Sequence, residues 1–419
     1  MSSLHPNRRE FLGALAVAGA SQTAKLKFGI IGCGWYGMVD CGAAFKAGGV
    51  ECIAVCDVDS DHLSQAALEV EKAQGSKPKA FKLYQELLDT PGLDAVIIAT
   101  PPQWHALPFI AACKKGLAIY EEKPLAYDIR EGRAMVSAAK KAGNIVQVGF
   151  QRRQSDCFRA AADYIRQGNA GRIVQVDVNI HIQAATPDPT PKAPPPSLDW
   201  DLWCGPGPKT HYSEAIGHKN WRLEETTGNG HLVDWGIHLI DAIRVTLGET
   251  TPKWVEAMGG LYEYKGKITT PDTLTAHFEF AKCPVVWRHR LWGAAEYSPE
   301  ASNGIFFFGD KETVFASDSR WTVIPRAKGG QRRVMDVKSD AGLRHMQEFL
   351  ECVRAKRQPS CQPEDAFFSA ATVQLAMISY RTGGRVVWDS AKEQIVNNPA
   401  AAKLLKRTYR PPYKHPYEG

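Results

Sequence analysis

Lys27-Phe28-Gly29-Ile30-Ile31 runs directly into Gly32-Cys33-Gly34-Trp35-Tyr36-Gly37. A short apolar run reads as a buried strand, and G-x-G-x-x-G after it reads as a turn opening a helix. The first glycine permits the tight turn. The second lets backbone approach a pyrophosphate, and the third allows close helix–strand packing, with the helix N-terminus facing the anion. Cys33, Trp35 and Tyr36 occupy the variable positions and complete the expected cofactor loop. Asp57 ends the next apolar run, residues 51–56, and lies 20 positions after Gly37. A carboxylate there accepts hydrogen bonds from ribose hydroxyls and repels a 2′-phosphate. No Arg or Lys follows within residues 58–62. The expected dinucleotide is therefore NAD, with NADP disfavoured.

Outward from this loop the pattern repeats. Apolar runs at 94–99, 117–120 and 144–148 alternate with helix-forming stretches at 61–73, 105–115 and 129–142. Strands separated by helices predict a parallel sheet covered on both faces. After Phe150 the period changes. Residues 173–182, 254–262, 273–280, 285–292 and 304–308 read as strands without long helices between them, which predicts a mostly antiparallel sheet. The Pro-rich stretch 186–208 reads as a loop, and helices return at 342–354 and 363–381. The expected division is a leader at 1–20, a dinucleotide domain at 21–150 and a substrate-binding and oligomerisation domain at 151–419.

Composition narrows the class. The 419 residues are 44% hydrophobic and 23% charged, with a net charge of +6. This is ordinary globular usage, without the basic block that nucleic-acid binding needs. No apolar run reaches the ~20 residues of a membrane helix. The ten cysteines form no CxxC pair, which excludes zinc-ribbon and thioredoxin-like readings. The N-terminus carries Asn7-Arg8-Arg9-Glu10-Phe11-Leu12, a short apolar stretch and then Ala18-Gly19-Ala20. This layout resembles a twin-arginine secretion signal cleaved near residue 20, and predicts export of the folded chain to the periplasm by that machinery.

Two further motifs follow strands and point to the same crevice: Thr100-Pro101, followed by His105, and Glu122-Lys123-Pro124. In the second half, Asp234, His238 and Asp241 share one face of an expected helix, with His231 at its edge. A carboxylate beside a histidine suits acid–base chemistry, which ranks above a solvated stripe or a metal site.

With these motifs in order, the chain resembles the Gfo/Idh/MocA oxidoreductases across residues 25–413. Gly149-Phe150-Gln151-Arg152-Arg153, Trp221-Arg222 and Trp388-Asp389 add to the resemblance. It implies an α/β architecture: an N-terminal Rossmann parallel sheet, then a C-terminal α+β domain with a large open, mostly antiparallel sheet often used for homo-oligomerisation. It implies sugar or polyol substrates and hydride transfer. Lys123 would polarise the reacting oxygen, His238 would accept or donate the proton, and Asp234 would hold substrate and tune His238. Thr100, Pro101, His105, Glu122, Lys123 and Gln151 would line the cofactor. Arg152, Arg153, Tyr212, His218 and Arg222 are candidate substrate or nicotinamide contacts. No metal is expected.

Export adds a constraint, because the periplasm offers no obvious free NAD pool. A tightly held, recycled cofactor is therefore expected. The first expectation is oxidoreduction of a sugar or polyol. Redox-neutral glycoside cleavage comes second, and a non-catalytic sugar or nucleotide sensor third.

Overall fold

The computed structural model describes residues 24–218, 220–294 and 302–417. The expected leader at 1–20 lies outside the described residues. The first sheet comprises β1 (Leu26–Ile31), β2 (Val50–Cys56), β3 (Lys79–Phe81), β4 (Ala95–Ile98), β5 (Ala118–Glu121) and β6 (Val146–Val148). All pairs are parallel, in the order β3-β2-β1-β4-β5-β6. The order reverses direction between β1 and β4, so a crevice opens at their carboxyl ends.

Helices α1 (Trp35–Ala47), α2 (Ser60–Gln74), α3 (Tyr84–Leu88), α4 (Ala106–Lys114) and α5 (Ile129–Ala142) cover the sheet. Every residue of β4 and β5 is buried, as double coverage demands. Asp59 starts α2 by accepting the Asp61 N–H, and Asp128 starts α5 by accepting the Glu131 N–H.

The second half begins with α6 (Asp156–Arg166), β7 (Ile173–His181), α7 (Trp200–Cys204) and α8 (Ile237–Leu247). Strands β8 (Trp254–Gly260), β9 (Thr273–Glu279), β10 (Pro284–Arg290), β11 (Asn303–Gly309), β12 (Glu312–Ala316), β13 (Arg320–Pro325) and β14 (Arg333–Asp336) follow. Helices α9 (Ala341–Ala355) and α10 (Pro363–Thr382), strands β15 (Val386–Asp389) and β16 (Gln394–Ile395), and α11 (Pro399–Lys403) complete the chain. The ten strands are ordered β14-β13-β12-β11-β7-β10-β9-β8-β15-β16, with β7 and β10 the one parallel pair. The burial of β10 alternates strictly, because one face packs on the helices. Trp287 is completely buried on that face.

Two differences from the sequence reading matter. The loop expected at 186–208 contains the short helix α7. The boundary at residue 150 does not separate the packing: Met346, Phe349 and Leu350 of α9 belong to the same core cluster as Phe28, Ile30 and Cys41. The second half thus returns to brace the first. Among the described residues no helix is long and apolar enough to cross a membrane.

The cofactor loop rests on close backbone approach. Gly32 has φ +92°, and a Cβ there would lie 2.7 Å from the Ala99 carbonyl carbon. A Cβ on Gly37 would lie 2.0 Å from the Gly32 carbonyl oxygen. Gly37→Ala is therefore expected to destabilise the chain by about 1–3 kcal/mol and to weaken dinucleotide binding. Denaturant melts and NADH titration check this; unchanged stability would show that the turn tolerates the methyl group.

Candidate active site

A single cleft of about 960 Å³ runs from the Gly32–Tyr36 loop across the strand ends of the first sheet to α8. Lys123 is delivered by the loop after β5, Asp234 and His238 by the segment leading into α8. Lys123 Nζ donates to Asp234 Oδ1 at 2.7 Å and to the Asp234 carbonyl at 2.9 Å. Arg222 Nε lies 3.0 Å from Asp234 Oδ2. Burial alone would raise the Asp234 pKa, but Lys123 and Arg222 outweigh it and hold the carboxyl below its ordinary value. The group is an anion clasped by two cations.

The expected uniform helix is interrupted here. Leu232–Gly236 forms a π-turn, and the α-helix begins only at Ile237. A π-turn inserts residues into the helical repeat and re-aims the side chains before it. Asp234, His238 and Asp241 therefore do not act as one stripe. Asp234 faces Lys123 and Arg222. Asp241 accepts from Arg153 Nη2 at 2.6 Å and from the Ser369 hydroxyl at 2.7 Å. The tuning of His238 by Asp234 is corrected accordingly. Burial first, then Arg152 and Lys123, push the His238 pKa well below its ordinary value. The imidazole is neutral at neutral pH. It lines the cleft, while its Nδ1 is sealed from solvent without a hydrogen-bond partner.

Beneath Lys123 lies a buried polar network. Glu122 accepts from Gln151 Nε2 at 2.7 Å and from the Lys123 N–H at 3.1 Å. Gln151 Nε2 also lies 3.2 Å from the Tyr120 hydroxyl. Burial raises the Glu122 pKa to about 7, although Lys123 and Gln151 oppose the rise.

Several expected contacts sit elsewhere. His105 does not line the cleft. Its Nε2 is 2.7 Å from the Thr100 carbonyl and its Nδ1 is 2.8 Å from the Pro124 carbonyl, so the ring is wedged between two site loops from behind, with its one N–H donated to one carbonyl at a time. Burial lowers its pKa to about 4. The Cys33 side chain turns inward, its thiol 3.4 Å from the Cys56 carbonyl, and only its N–H reaches Asp57. Arg153 is a brace: it pairs with Asp241 and Asp365 and is absent from the cleft wall. Tyr212 and His218 do line the cleft, but at the Asp57 end. His218 Nε2 is 3.2 Å from Asp59 Oδ2, so these two side chains lie away from Lys123. Arg152 and Arg222 remain near the reacting end, Arg152 gripping Asp318 at 2.7 Å. Asp318 and Trp235 also line the cleft. Trp235 is signalled by its position beside Asp234; nothing in the sequence around Asp318 marks it.

The residues present fit a dinucleotide. A Cβ on Gly34 would meet nothing within 4 Å, so this glycine opens onto the cleft as the pyrophosphate requires. Asp57 lines the cleft, with Oδ2 accepting the Cys33 N–H at 2.7 Å and Oδ1 the Asp59 N–H at 2.9 Å. The Thr100 hydroxyl is buried without a partner, and Thr100 lines the same cleft.

Residues 26–150 match the family model described as an oxidoreductase family with an NAD-binding Rossmann fold. Residues 183–415 match its C-terminal alpha/beta domain. The chain belongs to the Gfo/Idh/MocA oxidoreductase family. Within it, the chain is 26% identical over 336 residues to a myo-inositol 2-dehydrogenase of Thermotoga maritima, covering 78% of this chain and 84% of that protein. It is 29% identical over 250 residues to a glycosyl hydrolase family 109 protein of Stenotrophomonas maltophilia, covering 54% and 52%. Its fold matches a levoglucosan dehydrogenase in complex with NADH and levoglucosan, with a TM-score of 0.67 at 18% identity, over 87% of this chain and 99% of that one.

In this family member the raised Glu122 pKa has a measurable consequence. Its folded value of about 7 exceeds the ordinary 4.5, so the unfolded chain ionises first. The neutral acid's contribution to stability is complete below about pH 4.5 and is lost as pH rises through about 7. Glu122→Gln mimics the neutral acid. The variant should melt above the wild type at pH 8, with the gap closing toward pH 5. A gap that widens toward acid would reverse the assignment.

Proposed function

We propose that this protein is an NAD-dependent oxidoreductase that moves a hydride to or from a CH–OH carbon of a sugar or polyol. The observation that carries the proposal is Lys123, clasped by Asp234 in a cleft that also holds a neutral His238. A nicotinamide bound in the cleft supplies the hydride chemistry. Lys123 donates a hydrogen bond to the reacting oxygen and favours its negative charge. His238, uncharged at neutral pH, accepts the hydroxyl proton during oxidation and returns it during reduction. Asp234 keeps Lys123 aimed, and Lys123 and Arg222 keep Asp234 ionised. The inositol and levoglucosan dehydrogenases among its relatives support the substrate class. NAD is proposed over NADP because the Asp57 carboxylate would repel a 2′-phosphate.

A second reading, redox-neutral cleavage of a glycoside, is favoured by the likeness to the family 109 glycosyl hydrolase protein. It would use the same groups: transient oxidation of a hydroxyl acidifies the neighbouring C–H and permits elimination of the glycosidic substituent, after which water adds to the double bond and the hydride returns to the carbonyl carbon. Export by the twin-arginine route to the periplasm, also proposed, rests on residues 7–20 alone. Homo-oligomerisation through the large sheet is a further proposal, supported by the partly exposed face of β8 to β10.

Lys123→Ala should lower turnover by about 10²–10⁴-fold while NADH still binds. Sugars, polyols and glycosides are screened by nicotinamide absorbance and by product release. Full turnover in the variant would remove Lys123 from the chemistry. Aglycone release without net cofactor change would select the second reading.

A further inference from the structure

The cleft has two ends, and the outer one is walled by segments that the dinucleotide fingerprint does not contain. Asp57 marks where the adenosine half of a dinucleotide would lie, at the carboxyl end of β2. Residues 186–218 pass over this point. Ser60 N–H donates to the Ser197 carbonyl at 2.9 Å, and Asp199 N–H donates to the Val58 carbonyl at 3.1 Å. Asp59 and Leu198 form an antiparallel bridge between these contacts. Lys82 Nζ then lies 2.6 Å from Asp199 Oδ2. Asp199 also accepts the Leu202 N–H at 3.0 Å, so the same residue starts α7 and pins it to the first domain. Trp200 and Trp203 stack at 4.6 Å, and Tyr212 packs edge-on against Trp200.

The C-terminal tail locks this segment from outside. Arg410 donates to the Asp201 carbonyl at 2.6 Å and to the Gly205 carbonyl at 2.7 Å. Tyr413 packs edge-on against Trp104 at 5.4 Å, and Trp104 Nε1 donates to the Leu202 carbonyl at 2.8 Å. Trp203, Tyr212, His218 and Tyr413 line the same cleft as Asp57 and Tyr84.

We propose that residues 186–218 and 410–413 form the outer half of the dinucleotide site, a clamp that encloses the adenosine moiety and makes the cofactor resident rather than exchanging. The proposal rests on the dinucleotide reading of the cleft. Its physical basis is cooperativity. The backbone bonds to Val58 and Ser60, the Lys82–Asp199 pair and the Tyr413–Trp104 contact are each modest, but they close one segment over one opening. A ligand beneath the clamp leaves only when they open together, and this slows dissociation more than it alters encounter. Aromatic walls also suit the flat, apolar faces of an adenine.

The test uses the full chain purified without added nucleotide. NAD(H) released on denaturation is quantified per protomer, and NADH dissociation is followed by fluorescence after mixing with excess NAD⁺. Near-stoichiometric bound nucleotide is expected in the wild type. Asp199→Ala combined with Tyr413→Ala should release NADH at least about tenfold faster, the equivalent of about 1.4 kcal/mol. Lys82→Gln severs only the ion pair and should shift the rate in the same direction if the double variant fails to fold. Wild-type release as fast as that of the variants would overturn the clamp. So would variants that melt earlier with unchanged release, because the segments would then be braces only. Wild-type protein that releases no nucleotide on denaturation and, being empty, also binds no NADH at saturating concentration would overturn the dinucleotide reading itself, an outcome distinct from rapid but saturable exchange.

Discussion

Lys123 brings an ammonium group into a cleft where its side chain is only 12% exposed, and a charge so placed needs an anion within contact distance. The anion is Asp234, 111 residues away in sequence and on the other half of the molecule. Much of the site follows from this pairing. Asp234 must reach across the cleft from the segment preceding α8, and the π-turn at Leu232–Gly236 aims it there. Two oxygens on one carboxylate allow a second cation, and Arg222 takes that place. The ion pair is thus both chemistry and architecture: it joins the halves where a substrate would bind.

Around this charged centre, burial favours neutral forms. The carboxyl of Glu122 rises and the imidazoles of His105 and His238 fall for the same reason, the cost of charge away from water. Lys123 and Arg152 reinforce the effect on His238, since a third cation beside two others is unfavourable. A neutral base beside a charged donor is the combination that proton transfer requires. It arises without a carboxylate partner for His238, and so the paired-residue picture drawn from D-x-x-x-H spacing needed revision.

The parts legible in sequence were those whose physics is local. Apolar runs located β1, β2, β4 and β5, and the G-x-G-x-x-G spacing located the cofactor loop. Strands β3 and β16, of three and two residues, are too short to carry a period. The π-turn has no periodic signature, because its cause is the tertiary demand on Asp234. Arg153 resembled a ligand contact by its neighbourhood in the chain. Its true partners, Asp241 and Asp365, are 88 and 212 positions distant, and no local pattern reports them. Tyr212 and His218 line the cleft beside Val58 and Asp59, and chain order does not reveal this because it does not show how the 186–218 segment crosses the cleft.

That crossing places opposite demands at the two ends of one cavity. At the Lys123 end the walls are charged side chains whose partners are satisfied already, so a polar substrate can exchange against them without leaving a buried charge alone. At the Asp57 end the contacts between the two halves are backbone bonds and the edge-on Tyr413–Trp104 pair, which a small polar ligand does not replace. A chain that hands hydride to successive substrates from one held cofactor needs this asymmetry. A chain that exchanges cofactor each cycle would need the reverse, with a loose outer wall and a site that closes over the substrate. The distribution of contacts along the cleft, rather than any single residue, is therefore what favours a resident cofactor.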